Sequence, residues 1–237
     1  NVSVDASAIF MSFDAQSLFT NVPVEEVLVA IKNQLQEETL VERPGLHVGT
    51  IMEMLEICLR ISNFQFGDKY FQQKEGMAMG SSLSPVVSNI YMEFFETLSL
   101  HGWDMKPSLW LRYVDDTFII WKHGVKYLQS LLDYLSSLRK SIKFSMEVES
   151  NGSLLFLNVF VTKKGDILHS AVYRKPTHTG RYLHFDSNHP VHVKRGVVES
   201  LVNRANVLCQ NEQDLKAEMY TVRKGLLSNA SLSLWSL

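Results

Sequence analysis

The chain has 237 residues, of which 46% are hydrophobic and 20% are charged, and its formal net charge at pH 7 is −2. This composition excludes a disordered chain and a uniformly basic nucleic-acid binder, and the length allows one large domain or two small ones. The sequence has no signal peptide and no run of 18 apolar residues, so we expect no membrane segment. Its two widely separated cysteines favour a reducing compartment over a disulfide framework.

Four elements are predicted in the first third of the chain. An apolar run that ends in Asp14 predicts a buried strand. Apolar side chains at helical spacing then predict two helices, and strand-forming residues around a Gly-Asp turn predict a small hairpin. The predicted bounds are 8–14 for the strand, 21–38 and 47–62 for the helices, and 63–73 for the hairpin.

A loop of small residues, 76–85, follows the hairpin and opens a helix that we expect to end near residue 98. Glycines in such a loop allow the backbone to approach a ligand closely. The alternative is a helix entry that needs small residues only for packing.

The segment 109–121 predicts a β-hairpin, because strand-forming residues flank two adjacent acids, Asp115 and Asp116, on both sides. Adjacent carboxylates repel each other, and a bound divalent cation would remove that repulsion, since hard oxygen ligands suit Mg²⁺. A solvated turn with two harmless aspartates is the alternative. If the strand ending in Asp14 pairs beside this hairpin in an antiparallel sheet, three carboxylates converge at one edge, as a two-metal phosphoryl-transfer site requires.

The rest of the chain combines strands, helices and a local excess of positive charge. Residues 173–195 carry five Lys or Arg side chains and a single acid, Asp186, and such a strip can bind phosphate although the whole chain is almost neutral. A solvated basic face is the alternative. The predicted elements are a helix at 127–140, strands at 143–149, 154–162 and 167–173, and a helical region from about 192 to 227.

Five segments in this order together resemble a reverse transcriptase, and more closely the Penelope-like retroelement branch, which is related to telomerase. The segments that carry the resemblance are 12–23, 76–85, 113–116, 156–159 and 173–190. The resemblance implies an α+β fold: a right-hand polymerase palm, with an antiparallel sheet and helices on one face, followed by a partial helical thumb. It implies a palm over residues 1–176, including part of the fingers and a primer-grip hairpin at 156–159, and an incomplete helical thumb or connection region over 177–237.

The resemblance also assigns roles to individual residues. Asp14 and Asp115 are expected to hold two Mg²⁺ ions, for which Mn²⁺ can substitute, and Asp116 is expected to assist them as the third catalytic acid. Phe19 lies where the family excludes the 2′-hydroxyl of the incoming nucleotide, although an ordinary core aromatic is the alternative. Many relatives have glutamine where this chain has Met79, and methionine donates no hydrogen bond. The expected nucleotide-binding residues are Phe19, Gln73, Met79 and Gly80, and the expected nucleic-acid-binding residues are Ser81, Ser82, Tyr113, Arg174, Lys175, His178, Arg181, Lys194 and Arg195.

The implied function is RNA-directed DNA synthesis for a retroelement, with an RNA template, a DNA primer and dNTPs as partners, and with no membrane. Such an enzyme is expected in the nucleus. Family members carry a fingers region with triphosphate-binding basic residues before the first palm strand; only 13 residues precede Asp14, so we expect a fragment without those groups that polymerises weakly or not at all alone. The alternatives are an inactive or domesticated nucleic-acid-binding relative and a different palm-like metal enzyme such as a nucleotide cyclase.

Overall fold

The computed structural model describes residues 4–5, 7–37 and 47–229. The chain divides into two compact units. Met11–Glu147 forms the first, called the N-terminal unit. Asn1–Phe10 and Val148–Leu237 together form the second, called the C-terminal unit. Within the described ranges, no helix is long and apolar enough to cross a membrane.

The N-terminal unit is organised around a four-stranded sheet with the strand order β4-β5-β1-β6. The central strand β1 is buried along most of its length, and Asp14 is its one exposed residue. Neighbouring β5 contains an unbroken buried run, as expected for a strand that is covered on both faces. The strands span Ile9–Ala15 (β1), Leu109–Tyr113 (β4), Asp116–Trp121 (β5) and Phe144–Val148 (β6).

Helices supply most of the remaining core of this unit. Phe95, on the long helix α4, packs against Phe144 of β6, with ring centroids 5.5 Å apart, and Phe144 also contacts Phe13 of β1. These contacts join helix and sheet through large apolar side chains, whose burial stabilises such packing most. The helices span Leu18–Asn21 (α1), Val24–Glu37 (α2), Val48–Arg60 (α3), Leu83–Gly102 (α4) and Leu128–Leu138 (α5), and a 3-10 turn at Val125–Tyr127 precedes α5.

A small hairpin separates α3 from α4. Its strands, β2 (Asn63–Phe66) and β3 (Lys69–Gln72), pair around a turn at Gly67, where φ is +60°. All eight strand residues are exposed, and the rings of Phe64 and Phe71 stack 5.5 Å apart. The predicted hairpin is therefore confirmed.

The C-terminal unit combines a three-stranded antiparallel sheet with two helices. Its apolar cluster contains Val198 and Leu201 from the first helix and Val222 and Leu226 from the second. The elements span Ser153–Phe156 (β7), Val159–Lys164 (β8), Ile167–Val172 (β9), Val191–Leu208 (α6) and Glu212–Ser228 (α7).

The predicted strand 154–162 is wrong as a single strand, because the chain reverses at Leu157, where φ is +54°, and Phe156 then pairs with Val159. This reversal agrees with the hairpin at 156–159 that the resemblance implies. The predicted helical region 192–227 consists of two helices, because Asn211 caps the second one by accepting a hydrogen bond from the Asp214 amide at 2.7 Å. The proposed domain boundary after residue 176 stays a prediction.

Candidate functional site

Asp14 lies at one end of the sheet, where three strands of the N-terminal unit meet. The Ala15 amide donates a hydrogen bond of 3.0 Å to the Asp115 carbonyl, and the Gln16 amide donates one of 2.8 Å to the Lys143 carbonyl. The end of β1 therefore has the hairpin turn on one side and the start of β6 on the other. The sequence prediction that Asp14 lies beside the Asp-Asp turn agrees with these backbone contacts.

The hairpin turn that carries Asp115 is tight and strained. Tyr113 pairs with Asp116, which leaves Val114 and Asp115 as the two loop residues. Val114 has a φ of +58°, an unfavourable conformation for a β-branched residue. Such strain persists only where the surrounding structure holds it, and it is concentrated at functional sites. Asp115 and Asp116 are half-buried in this turn.

A buried ion pair holds the turn from below. The Arg112 guanidinium, whose side chain is 7% exposed, contacts the Glu96 carboxylate of α4 at 2.9 Å. The same guanidinium donates a hydrogen bond of 3.2 Å to the Val114 carbonyl. Trp110 also donates to Glu96, at 2.8 Å. Glu96 thus holds β4, the strand that leads into the acidic turn, against α4.

The electrostatics of Asp14 show that acidic groups gather at this end of the sheet. Partial burial raises the pKa of the Asp14 carboxyl above its ordinary value of 3.8, and the negative charges of Asp115 and Glu147 raise it further. The Ser145 hydroxyl opposes them by donating a hydrogen bond, which favours the ionised carboxylate. Ser145 and Glu147 are both on β6, and the sequence analysis identified neither of them.

Asp14 and Asp115 are suited to bind a divalent cation whose remaining ligands come from a substrate. In the described part of the chain, no three His, Cys, Asp or Glu side chains already form a cluster that could hold a metal ion. Mg²⁺, however, is usually bound by one or two carboxylates together with substrate phosphates. A cation beside Asp14 and Asp115 would also remove the repulsion that raises the pKa of Asp14.

The loop of small residues packs against the segment that contains Phe19. The Met77 amide donates a hydrogen bond of 2.5 Å to the Phe19 carbonyl. Gly76 has a φ of +74°, and a β-carbon there would overlap the backbone of Thr20. The structure therefore brings together the predicted sugar gate and the predicted small-residue loop. Phe19 itself is half-buried on α1.

A cavity of about 390 Å³ adjoins this contact within the N-terminal unit. Thr20 and Gly76 line one part of it, and Arg60 and Lys74 contribute positive charge. Arg60 already pairs with Glu25 and, at 2.7 Å, with Glu56. The cavity is large enough for a small ligand.

The other predicted nucleotide-site and template-site residues lie on or near the loop. Gln73 is half-buried, and its side-chain amide donates to the Glu75 carbonyl at 2.8 Å. Met79 is 74% exposed, and a β-carbon at Gly80 would meet nothing within 4 Å. Ser81 accepts a hydrogen bond of 3.3 Å from the Leu83 amide at the start of α4. Ser82 is exposed, as is Tyr113 on the hairpin.

The predicted nucleic-acid-binding residues of the C-terminal unit differ in their surroundings. Arg174 forms a two-pronged ion pair with Glu218, which is 6% exposed, so this guanidinium is already paired inside the protein. Lys194 donates to the Phe185 carbonyl and lies over the ring of that residue. Arg195 lies 3.8 Å from Glu199 on α6. The exposed members of the set are Lys175, His178, Arg181 and Arg195.

Comparison with solved structures shows the same fold in polymerases. Telomerase from Candida albicans, solved in complex with a TWJ fragment of telomeric RNA, superposes with a TM-score of 0.64 at 12% identity, covering 97% of this chain and 40% of its own. Apo telomerase from Candida tropicalis, truncated from its C-terminal domain, has a TM-score of 0.51 at 17% identity, covering 68% and 35%. The Sicinivirus 3Dpol RNA-dependent RNA polymerase has a TM-score of 0.58 at 15% identity, covering 94% and 48%.

The chain thus spans less than half the length of these three proteins. Its fold, which combines helices with antiparallel sheet, is that of a polymerase palm, as predicted. No curated protein matches the sequence.

Two family models match the sequence itself. Residues 181–230 match the animal helix-turn-helix domain, and this range contains α6 and α7. Residues 3–150, well over half of the chain, match the reverse transcriptase (RNA-dependent DNA polymerase) model, and this range contains Asp14, Asp115 and Asp116. The chain therefore belongs to the reverse transcriptase family.

Proposed function

We propose that this chain is the catalytic core of an RNA-directed DNA polymerase from a Penelope-like retroelement. The observation that carries the proposal is the meeting of β1 and the hairpin turn, where partial burial and then the charge of Asp115 raise the pKa of Asp14. A fold gains nothing in stability from placing like charges together, so their arrangement favours a role in binding a cation and phosphates. Membership of the reverse transcriptase family supports the same conclusion.

In the proposed mechanism, Asp14 and Asp115 would hold two Mg²⁺ ions, or Mn²⁺ in their place, with Asp116 assisting. When bound, Mg²⁺ supplies positive charge that acidifies the primer 3′-hydroxyl and neutralises the departing pyrophosphate. The Ser145 hydroxyl favours the ionised form of Asp14 by donating a hydrogen bond to its carboxylate, which opposes the effects that raise the pKa. Arg112, through its contact with the Val114 carbonyl, is a positioning residue for the turn that carries Asp115.

We further propose that Phe19 selects dNTPs over ribonucleotides by excluding a 2′-hydroxyl. The hydrogen bond from the Met77 amide to the Phe19 carbonyl and the close contact of Gly76 with Thr20 fix the backbone at this position. A fixed backbone is what such exclusion needs, because a ring on a mobile segment would yield to the extra hydroxyl.

Primer extension tests this function. The chain, in excess over a DNA primer annealed to an RNA template, is incubated with Mg²⁺ and dNTPs, so that even single additions register. We expect dNTP addition on the RNA template and little ribonucleotide addition, and we expect Phe19→Ala to raise the ribonucleotide share. Because the chain alone is expected to polymerise weakly or not at all, a version extended at its N-terminus by a fingers region is assayed beside it, and the absence of any addition on RNA by both would contradict the proposed polymerase. Addition on a DNA template alone would contradict the RNA-directed activity.

The implied partners are an RNA template, a DNA primer and dNTPs, and the implied place of action is the nucleus, where such an enzyme meets chromosomal DNA. The helix-turn-helix match favours a second candidate, a domesticated relative that binds nucleic acid without polymerising. Binding of an RNA–DNA duplex without extension would favour this second candidate.

A further inference from the structure

The C-terminal unit contains a second cavity, with a volume of about 370 Å³. One wall is the segment around Lys175, His178 and Thr179, which follows the sheet, and the opposite wall is the last two turns of α7, with Lys224. All lining residues belong to this one unit. None of the residues that line this cavity therefore belongs to the acidic group around Asp14.

Hydrogen bonds hold the two walls in place. The Asn229 amide nitrogen donates to the Gly180 carbonyl at 3.0 Å and to the Gly225 carbonyl at 2.6 Å, and its oxygen accepts from the Tyr182 amide at 3.2 Å. Asn229 is 8% exposed, so solvent competes little for these bonds. The walls are consequently preformed and need little ordering when a ligand enters.

Close packing keeps the back of the cavity free of larger side chains. A β-carbon at Gly225 would lie 2.8 Å from a ring carbon of Tyr182 and 3.5 Å from the Gly180 carbonyl oxygen. The Tyr182 hydroxyl in turn lies 3.4 Å from Nε2 of His178. The aromatic residue thus shapes the cavity while its polar end faces the histidine.

The charge of the cavity is positive. The acid nearest to its lining, Glu218, is neutralised by Arg174 and lies 3.8 Å from Arg204 as well. In the described part of the chain, the ammonium groups of Lys175 and Lys224 form no ion pair, and both side chains are exposed. Two cations therefore face the cavity from opposite walls without a compensating acid. Such a site attracts a multiply charged anion.

We propose that this cavity binds a phosphate group of a nucleic-acid strand. Lys175 and Lys224 supply the charge, and the Thr179 hydroxyl, which accepts a bond of 3.4 Å from the Arg181 amide, donates its proton to a phosphate oxygen. The choice of a nucleic acid as the source of the phosphate rests on the proposed function. The phosphate is either an internal phosphodiester or a terminal phosphomonoester, which share this chemistry.

Lys175→Ala/Lys224→Ala tests the site, measured by fluorescence anisotropy with a labelled single-stranded DNA at several salt concentrations. Lys164→Ala/Lys216→Ala is the control, because it removes the same charge from exposed lysines of the same unit outside the cavity. Lys216 pairs with Glu212, but both side chains are exposed, and such a pair contributes little to stability. We expect the cavity variant to weaken binding by on the order of tenfold and to reduce the salt slope by about 1, with a much smaller change in the control.

A 5′-phosphorylated strand and its 5′-hydroxyl counterpart identify the source of the phosphate. Tighter binding of the phosphorylated strand, lost in the cavity variant, indicates a terminal phosphate, and equal binding of the two strands indicates an internal one. Equal weakening in both lysine variants, or none in the cavity variant, would overturn the proposal. Because this readout needs no catalysis, a chain that binds through the cavity but does not extend primers would contradict only the polymerase. A chain that extends primers but shows no loss of binding in the cavity variant would contradict only this site.

Discussion

Replacement of Gly76 by alanine should destabilise the N-terminal unit more than the same replacement at Gly80. Both glycines are in the loop before α4 and have positive φ, +74° and +98°. An alanine in the left-handed region costs about 1–2 kcal/mol. At Gly76 the new β-carbon would also lie 2.7 Å from Cα of Thr20, whereas at Gly80 it would meet nothing within 4 Å.

The overlap at Gly76 involves backbone, which cannot rotate away as a side chain would. Forcing extra atoms into a packed site costs about 1–3 kcal/mol. We therefore expect Gly76→Ala to lower the free energy of unfolding by about 2–5 kcal/mol and Gly80→Ala by about 1–2 kcal/mol, combining these ranges.

Urea unfolding followed by tryptophan fluorescence measures both variants. Trp103, Trp110 and Trp121, three of the four tryptophans, belong to the N-terminal unit, so the signal reports mainly on that unit. An unchanged dependence on urea concentration would show that the midpoint shift reflects stability. If Gly76→Ala were no more destabilising than Gly80→Ala, the result would contradict the close approach of Gly76 to the Thr20 backbone.

Two further predictions concern charged groups. Because the pKa of Asp14 is raised, its ionised form destabilises the fold at neutral pH. Asp14→Asn should therefore increase the free energy of unfolding at pH 7 by less than about 1 kcal/mol. Urea unfolding at a series of pH values should show this gain disappear as the pH falls through the raised pKa to below 3.8. A comparable gain from Asp104→Asn, at an exposed site, would refute the assignment. Glu218→Ala should destabilise the C-terminal unit by about 3–5 kcal/mol, because it removes a buried carboxylate and leaves the Arg174 guanidinium, 17% exposed, without its partner. Glu212→Ala, which breaks an exposed pair on the same helix, should cost less than about 1 kcal/mol. Urea unfolding followed by circular dichroism compares the two variants. Similar losses in the free energy of unfolding would contradict the stabilising role of the buried Glu218.

The sequence predicted the elements that carry the acids because their signals are local. The apolar run before Asp14 and the two runs around Asp115 each specify a strand within a few residues. The pairing of β1 with the hairpin followed from the resemblance and from the geometry of an antiparallel sheet. The predicted hairpin 109–121 accordingly agrees with β4 and β5.

The supporting residues were not predictable because their partners are distant in the chain. Arg112 meets Glu96 16 residues earlier, and Ser145 meets Asp14 across the sheet. The close approach of Gly76 to the backbone of Thr20 likewise joins segments that are far apart in the sequence. Hydrophobic periodicity predicts which residues share a face of one helix or strand, but it does not predict contacts between elements.

The reversal at Leu157 lacks glycine or proline and lies in a largely apolar run, where Asn158 is the single turn residue, so the local pattern favoured one strand. The hairpin at 156–159 followed only from the resemblance. The break before α7 does have a local signal, because Asn211 with acids at 212 and 214 is typical of a helix start.

The central claim is that the acids at the end of β1 and in the hairpin turn form the polymerase centre. Extension of a DNA primer on an RNA template by Asp115→Asn, compared with Asp104→Asn in the same assay, tests it most directly. We predict that Asp115→Asn abolishes dNTP addition while RNA–DNA duplex binding persists, and that Asp104→Asn extends like the unaltered chain. Undiminished extension by Asp115→Asn would contradict the claim.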